Sequence, residues 1–108
     1  MTTPSSSAER PVTIPGPDPR TRRPHVQFPA GACDCHAHVF GPQGSFPYLP
    51  NAAYIPPDSL PGDYARMLGS IGCQRAVLVQ PSVYGTDNRC MLAAMQSGLF
   101  NFRGVAVV

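Results

Sequence analysis

Residues 31–42 read GACDCHAHVFGP, placing Cys33, Asp34, Cys35, His36 and His38 within six positions. Gly31 on one side and Gly41-Pro42 on the other are turn signals, and the small and apolar residues between them predict a strand over 32–40. Strand side chains alternate between faces. Regular alternation puts Asp34, His36, His38 and Phe40 on one face and Cys33, Cys35, Ala37 and Val39 on the other. On that reading the thiols point away from the imidazoles, which argues against a joint two-Cys, two-His zinc site. The histidines, ~6.5–7 Å apart along the strand, are spaced to converge on one ion or one substrate oxygen. Asp34, one step earlier, is placed to orient an imidazole from behind.

Outward from this strand the chain alternates. Residues 58–72, DSLPGDYARMLGSIG, carry Leu60, Tyr64, Met67, Leu68 and Ile71 at helical spacing, with Asp58 or Ser59 as cap and Gly72 as stop. RAVLVQ at 75–80 is a nearly continuous apolar run, as expected for a strand covered on both faces. A second helix is expected over 87–98, with Met91, Leu92 and Met95 on one side, and RGVAVV at 103–108 reads as a third buried strand. Strand, helix, strand, helix, strand indicates an α/β fold with a parallel sheet. In such sheets active sites gather at the carboxyl ends of the strands, where His36 and His38 stand.

Two connections open at that same end. GPQGSFPYLPNAAYIPP, residues 41–57, has neither period, and loops beyond ~12–15 residues tend to be lids or binding loops. Its prolines stiffen it; Phe46, Tyr48 and Tyr54 are placed either to cover a pocket or to anchor the loop by packing. The second connection, QPSVYGTDN, offers the hydroxyls of Ser82 and Tyr84 before the second helix, with Thr86, Asp87 and Asn88 best read as caps.

Composition bounds the rest. Residues 1–29, crowded with Pro, Ser, Thr and Arg, cannot bury enough apolar surface to offset their ordering entropy and are expected to be a disordered leader, with 30–108 the folded part. Arg10, Arg20, Arg22 and Arg23 against Glu9 and Asp18 account for the whole net charge of +2. No basic stripe with interleaved aromatics remains on the folded part, so nucleic acid is not an expected partner. No stretch approaches the ~20 apolar residues of a membrane span. Arg22-Arg23 lacks the apolar run of an export signal, so a cytoplasmic protein with four reduced cysteines is expected.

The Asp34-x-His36-x-His38 strand, its VFGP continuation and the QPSVYGTDN loop resemble the amidohydrolase superfamily, in particular the amidohydrolase-related branch that includes 2-pyrone-4,6-dicarboxylate hydrolase. The resemblance covers residues 30–108. It implies the first part of a (β/α)8 TIM-type barrel and a hydrolase acting on a lactone or similar cyclic ester or carboxylate. It also implies that His36 and His38 bind a zinc-type divalent metal, or polarise the scissile carbonyl as in the lactonase subgroup, which works without one. Tyr54 and Ser82 match substrate-contacting residues of that subgroup. Tyr84 stands where the pyrone hydrolases carry histidine; its phenol donates a hydrogen bond but is not cationic at neutral pH. The family's later histidine, its arginine clamps and its catalytic aspartate fall beyond Val108. A barrel takes ~250 residues, so this chain is expected to be a truncated, inactive fragment that aggregates through bare strand edges. The alternative is a non-catalytic remnant that binds a metal or a partner through His36 and His38.

Overall fold

In the computed structural model, which describes residues 12–108, the chain runs β1 (Val12–Thr13), β2 (Cys33–Ala37), β3 (Tyr54–Ile55), α1 (Pro61–Ile71), β4 (Arg75–Val79), a 3-10 turn (Ser82–Tyr84), α2 (Arg89–Gln96) and β5 (Phe102–Val105). The strands β2, β4 and β5 form one sheet in the order β2-β4-β5, parallel throughout, with helices in the crossovers. This is the alternating α/β arrangement expected from the sequence. A second, two-stranded parallel pair joins β1 to β3.

The central strand shows how the sheet is buried. Ala76 and Leu78 of β4 lie under the helices, Leu78 at 0% exposure, whereas Arg75 is exposed and Val77 and Val79 are half-buried on the other face. The expected burial of β4 on both faces is thus found on one only, because among the described residues both helices cover the same face. That face packs Leu68 of α1 and Met91 and Ala94 of α2 against Ala76, Leu78 and Phe102. Leu68 is fully enclosed, and cutting it to alanine is worth about 2–5 kcal/mol of stability.

Both helices depart from the sequence reading in detail. α1 begins with Pro61 in its first position rather than at Asp58. Ser59 is instead drawn into an antiparallel bridge with Phe40, N–H to O at 2.8 and 3.0 Å. Asp63 reaches back to the Leu60 N–H at 3.2 Å, a one-sided form of the capping box. In α2 the inward stripe is Cys90, Met91 and Ala94, while Leu92, expected inside, is 46% exposed. The helix docks one position round from the apolar side read off its sequence.

The expected leader divides. Residues 1–11 lie outside the described residues. Residues 12–29 are exposed at nearly every position but are tied down twice. Val12 pairs with Tyr54 and Thr13 with Ile55, and Thr21 Oγ1 bonds Ser70 Oγ of α1 at 3.0 Å.

Candidate functional site at the carboxyl end of the sheet

The strand carrying the histidines is not regular. Cys33 pairs with Arg75 and Asp34 with Ala76, but Ala37 is the next partner, opposite Leu78. Three steps along β2 therefore match two along β4, the signature of a bulge, with Cys35 and His36 together against Val77. The alternation expected from the sequence holds for Cys33 and Asp34 and breaks after them. An extra residue re-aims everything that follows, and Cys35 and His36 are both exposed.

Asp34, on the helix-covered face with Ala76, does not orient an imidazole. Its Oδ2 accepts the Tyr64 hydroxyl of α1 at 2.5 Å and its Oδ1 the backbone N–H of His36 at 3.3 Å. Tyr64 in turn stacks on Phe102 of β5, centroids 5.9 Å apart and planes within 7°. Burial, then the bond to Asp34, pushes the Tyr64 phenol well above its ordinary range, so it remains a donor. The carboxylate thus fixes the backbone entering the bulge. The sequence showed Tyr64 only as part of an apolar stripe.

The imidazoles of His36 and His38 come together, ring centroids 5.3 Å apart and nearly perpendicular. His38 Nδ1 lies 2.7 Å from the carbonyl oxygen of Val79, at the end of the neighbouring strand. A carbonyl only accepts, so Nδ1 carries a proton, and in the neutral form of the ring the lone pair is then at Nε2. That tautomer suits ligation of a metal or acceptance of a proton. Polarising a carbonyl from Nε2 requires the imidazolium instead.

The thiols form their own group. Burial, and then the neighbouring Cys35, push the Cys33 thiol up, which keeps it protonated and poorly nucleophilic. All four cysteines are unpaired, Cys73 and Cys90 buried. Among the described residues no three His, Cys, Asp or Glu side chains gather to hold a metal ion. The imidazole pair fits two positions of a coordination sphere, with His38 Nε2 in ligating form, and the residues present do not complete it.

Beyond His38 an aromatic cluster anchors the long loop. Phe40 stands 6.0 Å from His38 and 6.3, 6.4 and 6.5 Å from Tyr54, Tyr84 and Tyr48. Tyr48 donates to the Pro56 carbonyl at 2.9 Å, and the Leu49 N–H bonds the Val83 carbonyl at 2.8 Å. Of the two roles open to these loop aromatics, this packing is the anchoring one. Tyr84 is 1% exposed, and its hydroxyl accepts the Gly41 N–H at 2.8 Å. Gly41 is itself required, with φ at 86°, a conformation that side chains rarely adopt, and with an added Cβ running into the Asp58 side chain. Tyr84, expected at the substrate, is placed as a buried tie between the two loops. Tyr54 is half-buried in β3 and Ser82 exposed in the 3-10 turn.

A residue the sequence reading missed shapes that second loop. Gln80 is buried, its Nε2 donating to the carbonyls of Gly85 and Asp87 at 3.0 and 2.9 Å. Those two acceptors fix the orientation of its amide and leave Oε1 buried without a partner. Nothing in the sequence distinguished it from the end of an apolar strand.

His38 lines a cavity of about 340 Å³ together with Phe40, Tyr64, Met67 and the segment 14–18. A larger cleft of about 610 Å³ between α1 and α2 holds neither histidine, so the smaller cavity is the one that bears on the chemistry.

The paired imidazoles stand at the carboxyl end of a parallel α/β sheet, the end at which sites gather in such folds. A model of the amidohydrolase family matches residues 33–108, and the chain belongs to that family. It is 41% identical over 86 residues to a 2-pyrone-4,6-dicarboxylate hydrolase of Comamonas testosteroni, covering 80% of this chain and 28% of that protein. It is 42% identical over 80 residues to a 4-sulfomuconolactone hydrolase of Rhizobium radiobacter, covering 72% and 27%. The crystal structure of a probable 2-pyrone-4,6-dicarboxylic acid hydrolase from Acinetobacter baumannii with citric acid bound superposes with a TM-score of 0.66 at 35% identity, over 72% of this chain and 29% of that one. The chain therefore spans under a third of the length of these relatives. Among the described residues no helix is long and apolar enough to cross a membrane.

Proposed function

We propose that these 108 residues are the amino-terminal portion of a (β/α)8-barrel hydrolase that opens a lactone or similar cyclic ester of a carboxylate substrate. The observation that carries this reading is the imidazole pair, 5.3 Å apart at the strand ends, with Nδ1 of His38 bonded to the Val79 carbonyl. The lactone-hydrolase relatives support it, and so does the parallel sheet, whose uncovered face and β5 edge suit further β/α units. On this reading residues 30–108 are one wall of the barrel and do not turn over substrate alone. Four unpaired thiols fit the cytoplasmic location that goes with it.

His36 and His38 would hold a zinc-type divalent ion, the remaining ligands coming from the barrel length that this chain does not span. Such an ion, when bound, supplies Lewis acidity and a nucleophilic water at neutral pH. The chain's own residues do the rest. Val79 fixes the His38 tautomer, Asp34 and Tyr64 fix the bulge that carries His36, and the exposed Ser82 hydroxyl is free to meet a substrate carboxylate. Tyr54 contributes through its ring beside Phe40. Tyr84 contributes indirectly, by tying Gly41 to the Ser82 loop.

The test is lactone hydrolysis by the full-length protein. His36→Ala and His38→Ala are each expected to abolish most turnover and most bound metal, and a chelator to slow the unaltered enzyme. Full activity after chelation, with both histidine variants still inactive, removes the metal and leaves the imidazoles acting directly. Full activity of both variants overturns the site. No observation favours the non-catalytic alternative.

A further inference from the structure

We infer that Gln80 is a positioning residue for the substrate: from beneath the loop 81–88 it holds Ser82 in place relative to the imidazole pair, and so governs how the carboxylate of the lactone is held. This role rests on the hydrolase reading, in which Ser82 meets that carboxylate, and adds to it a residue that itself touches no substrate.

Gln80 stands where the two halves of the site meet. The peptide joining it to Val79 is bonded on both sides. Its carbonyl, that of Val79, accepts from His38 Nδ1 at 2.7 Å, and its N–H donates to the Val105 carbonyl of β5 at 2.9 Å. One rigid plane thus holds His38 and is itself tied down from the other side. The side chain of the same residue reaches the loop. Nε2 donates to the carbonyls of Gly85 and Asp87 at 3.0 and 2.9 Å, and the Gly85 N–H donates in turn to the Ser82 carbonyl at 3.0 Å. Gly85, at φ 56° and ψ −123°, adopts a backbone conformation that side chains rarely reach, and it is the Gly85 carbonyl that Nε2 holds.

The other ties on this loop lead elsewhere. The Leu49 N–H on the Val83 carbonyl and the Gly41 N–H on the Tyr84 hydroxyl, both at 2.8 Å, join it to the long loop 41–57. Gln80 joins it instead to β4, the strand whose last carbonyl holds His38. Packing does not account for an amide here. Gln80 is 6% exposed, and its Oε1 is buried without a partner among the described residues. A leucine would fill such a space without stranding an acceptor. What the amide adds is the pair of bonds made by Nε2, and their effect is to fix the loop that presents the exposed Ser82. A displacement of ~1 Å in a group that positions substrate is enough to lose about 100-fold.

The experiment compares, in the full-length protein, hydrolysis of a γ-lactone bearing a carboxymethyl group with hydrolysis of its methyl ester. Gln80→Leu should raise KM for the acid by roughly 10-fold, the order for one hydrogen bond to a charged group. Its kcat, and its KM for the ester, should stay close to the parent's, the split expected when binding of one group is lost without damage to the reacting centre. Ser82→Ala should raise the same KM, and adding Gln80→Leu to it should raise it little further, because both act through one contact. KM raised alike for acid and ester, kcat lost in place of KM, or full additivity of the two substitutions overturns the proposal. If Gln80→Leu fails to fold, hydrogen exchange of the Gln80 side-chain amide in the unaltered protein decides. Binding that needs the clamp closed must slow its opening. Slowing by the acid and not by the ester supports the role, and no slowing overturns it. The two readings fail separately. A parent that neither binds nor hydrolyses either lactone sinks the hydrolase reading and this role with it. A parent that hydrolyses both, with KM for the acid unmoved in Gln80→Leu, sinks this role alone.

Discussion

Replacing Tyr84 by phenylalanine separates a buried tie from a substrate contact. The ring stays, 5.2 Å from Tyr48 and 6.4 Å from Phe40, so the packing contribution is almost unchanged. What goes is the oxygen that accepts the Gly41 N–H at 2.8 Å. Gly41 is buried, and Tyr84 is the acceptor its N–H has. An orphaned buried donor costs about 1–3 kcal/mol, less whatever is recovered by no longer burying the hydroxyl. Tyr84→Ala, which also empties the ring's space, should cost about 3–5 kcal/mol. Urea unfolding of the full-length protein reads both, with the slope unchanged and the midpoint lowered. There is an alkaline signature too. Burial raises the Tyr84 phenol above its ordinary range. A group raised on folding contributes stability that is complete below its unfolded pKa of ~10 and is lost as pH rises through the folded value. The parent should therefore lose stability more steeply above pH ~10 than Tyr84→Phe does. An unfolding midpoint equal to the parent's, together with a raised KM for lactone, would refute the reasoning and return the hydroxyl to the substrate.

Gln80→Glu sets a carboxylate oxygen against the carbonyls of Gly85 and Asp87, whereas Gln80→Leu merely leaves them unpaired. At pH 7 the glutamate variant should be the less stable of the two, with the gap narrowing in acid as its carboxyl gains a proton to donate. Unfolding midpoints in the reverse order at pH 7 would show that the amide does not clamp the loop. Side-chain hydrogen bonds from Arg89, and its backbone N–H, hold the Asp87 carboxyl below its usual range. That contribution is present above the unfolded pKa of ~4 and lost as pH falls below it. Amide exchange in the first turn of α2 should accelerate below pH ~4 in the parent, and an Asp87→Asn variant should show no such acid step. Tyr64→Phe removes the donor on Asp34 and should cost about 1.5–3 kcal/mol, the range for a hydrogen bond to a charged group. A loss below the error of the unfolding measurement would mean the carboxylate finds another partner.

The alternation of elements was legible because it depends on local periodicity. RAVLVQ is too apolar and too short for anything but a strand, and the spacing of Tyr64, Leu68 and Ile71 has one helical face. The histidine pair was legible for the same reason, since residues two apart on a strand end stay neighbours. What did not come through depends on partners distant in the chain. Leu92 faces out because β5 meets α2 from one side. Tyr84 is a core residue because Gly41, forty-three positions away, needs an acceptor.

By itself the sequence determined the α/β class, the two imidazoles at a strand end and the family to which they belong, since composition, period and motif are properties of short segments. Tertiary structure alone decided the bulge between Asp34 and Ala37, the bond from His38 Nδ1 to Val79, the bond from Tyr64 to Asp34 and the placing of segment 14–18 beside His38. Each requires two segments to be brought together and their hydrogen-bonding groups to be paired away from water, and no window of local sequence contains both partners.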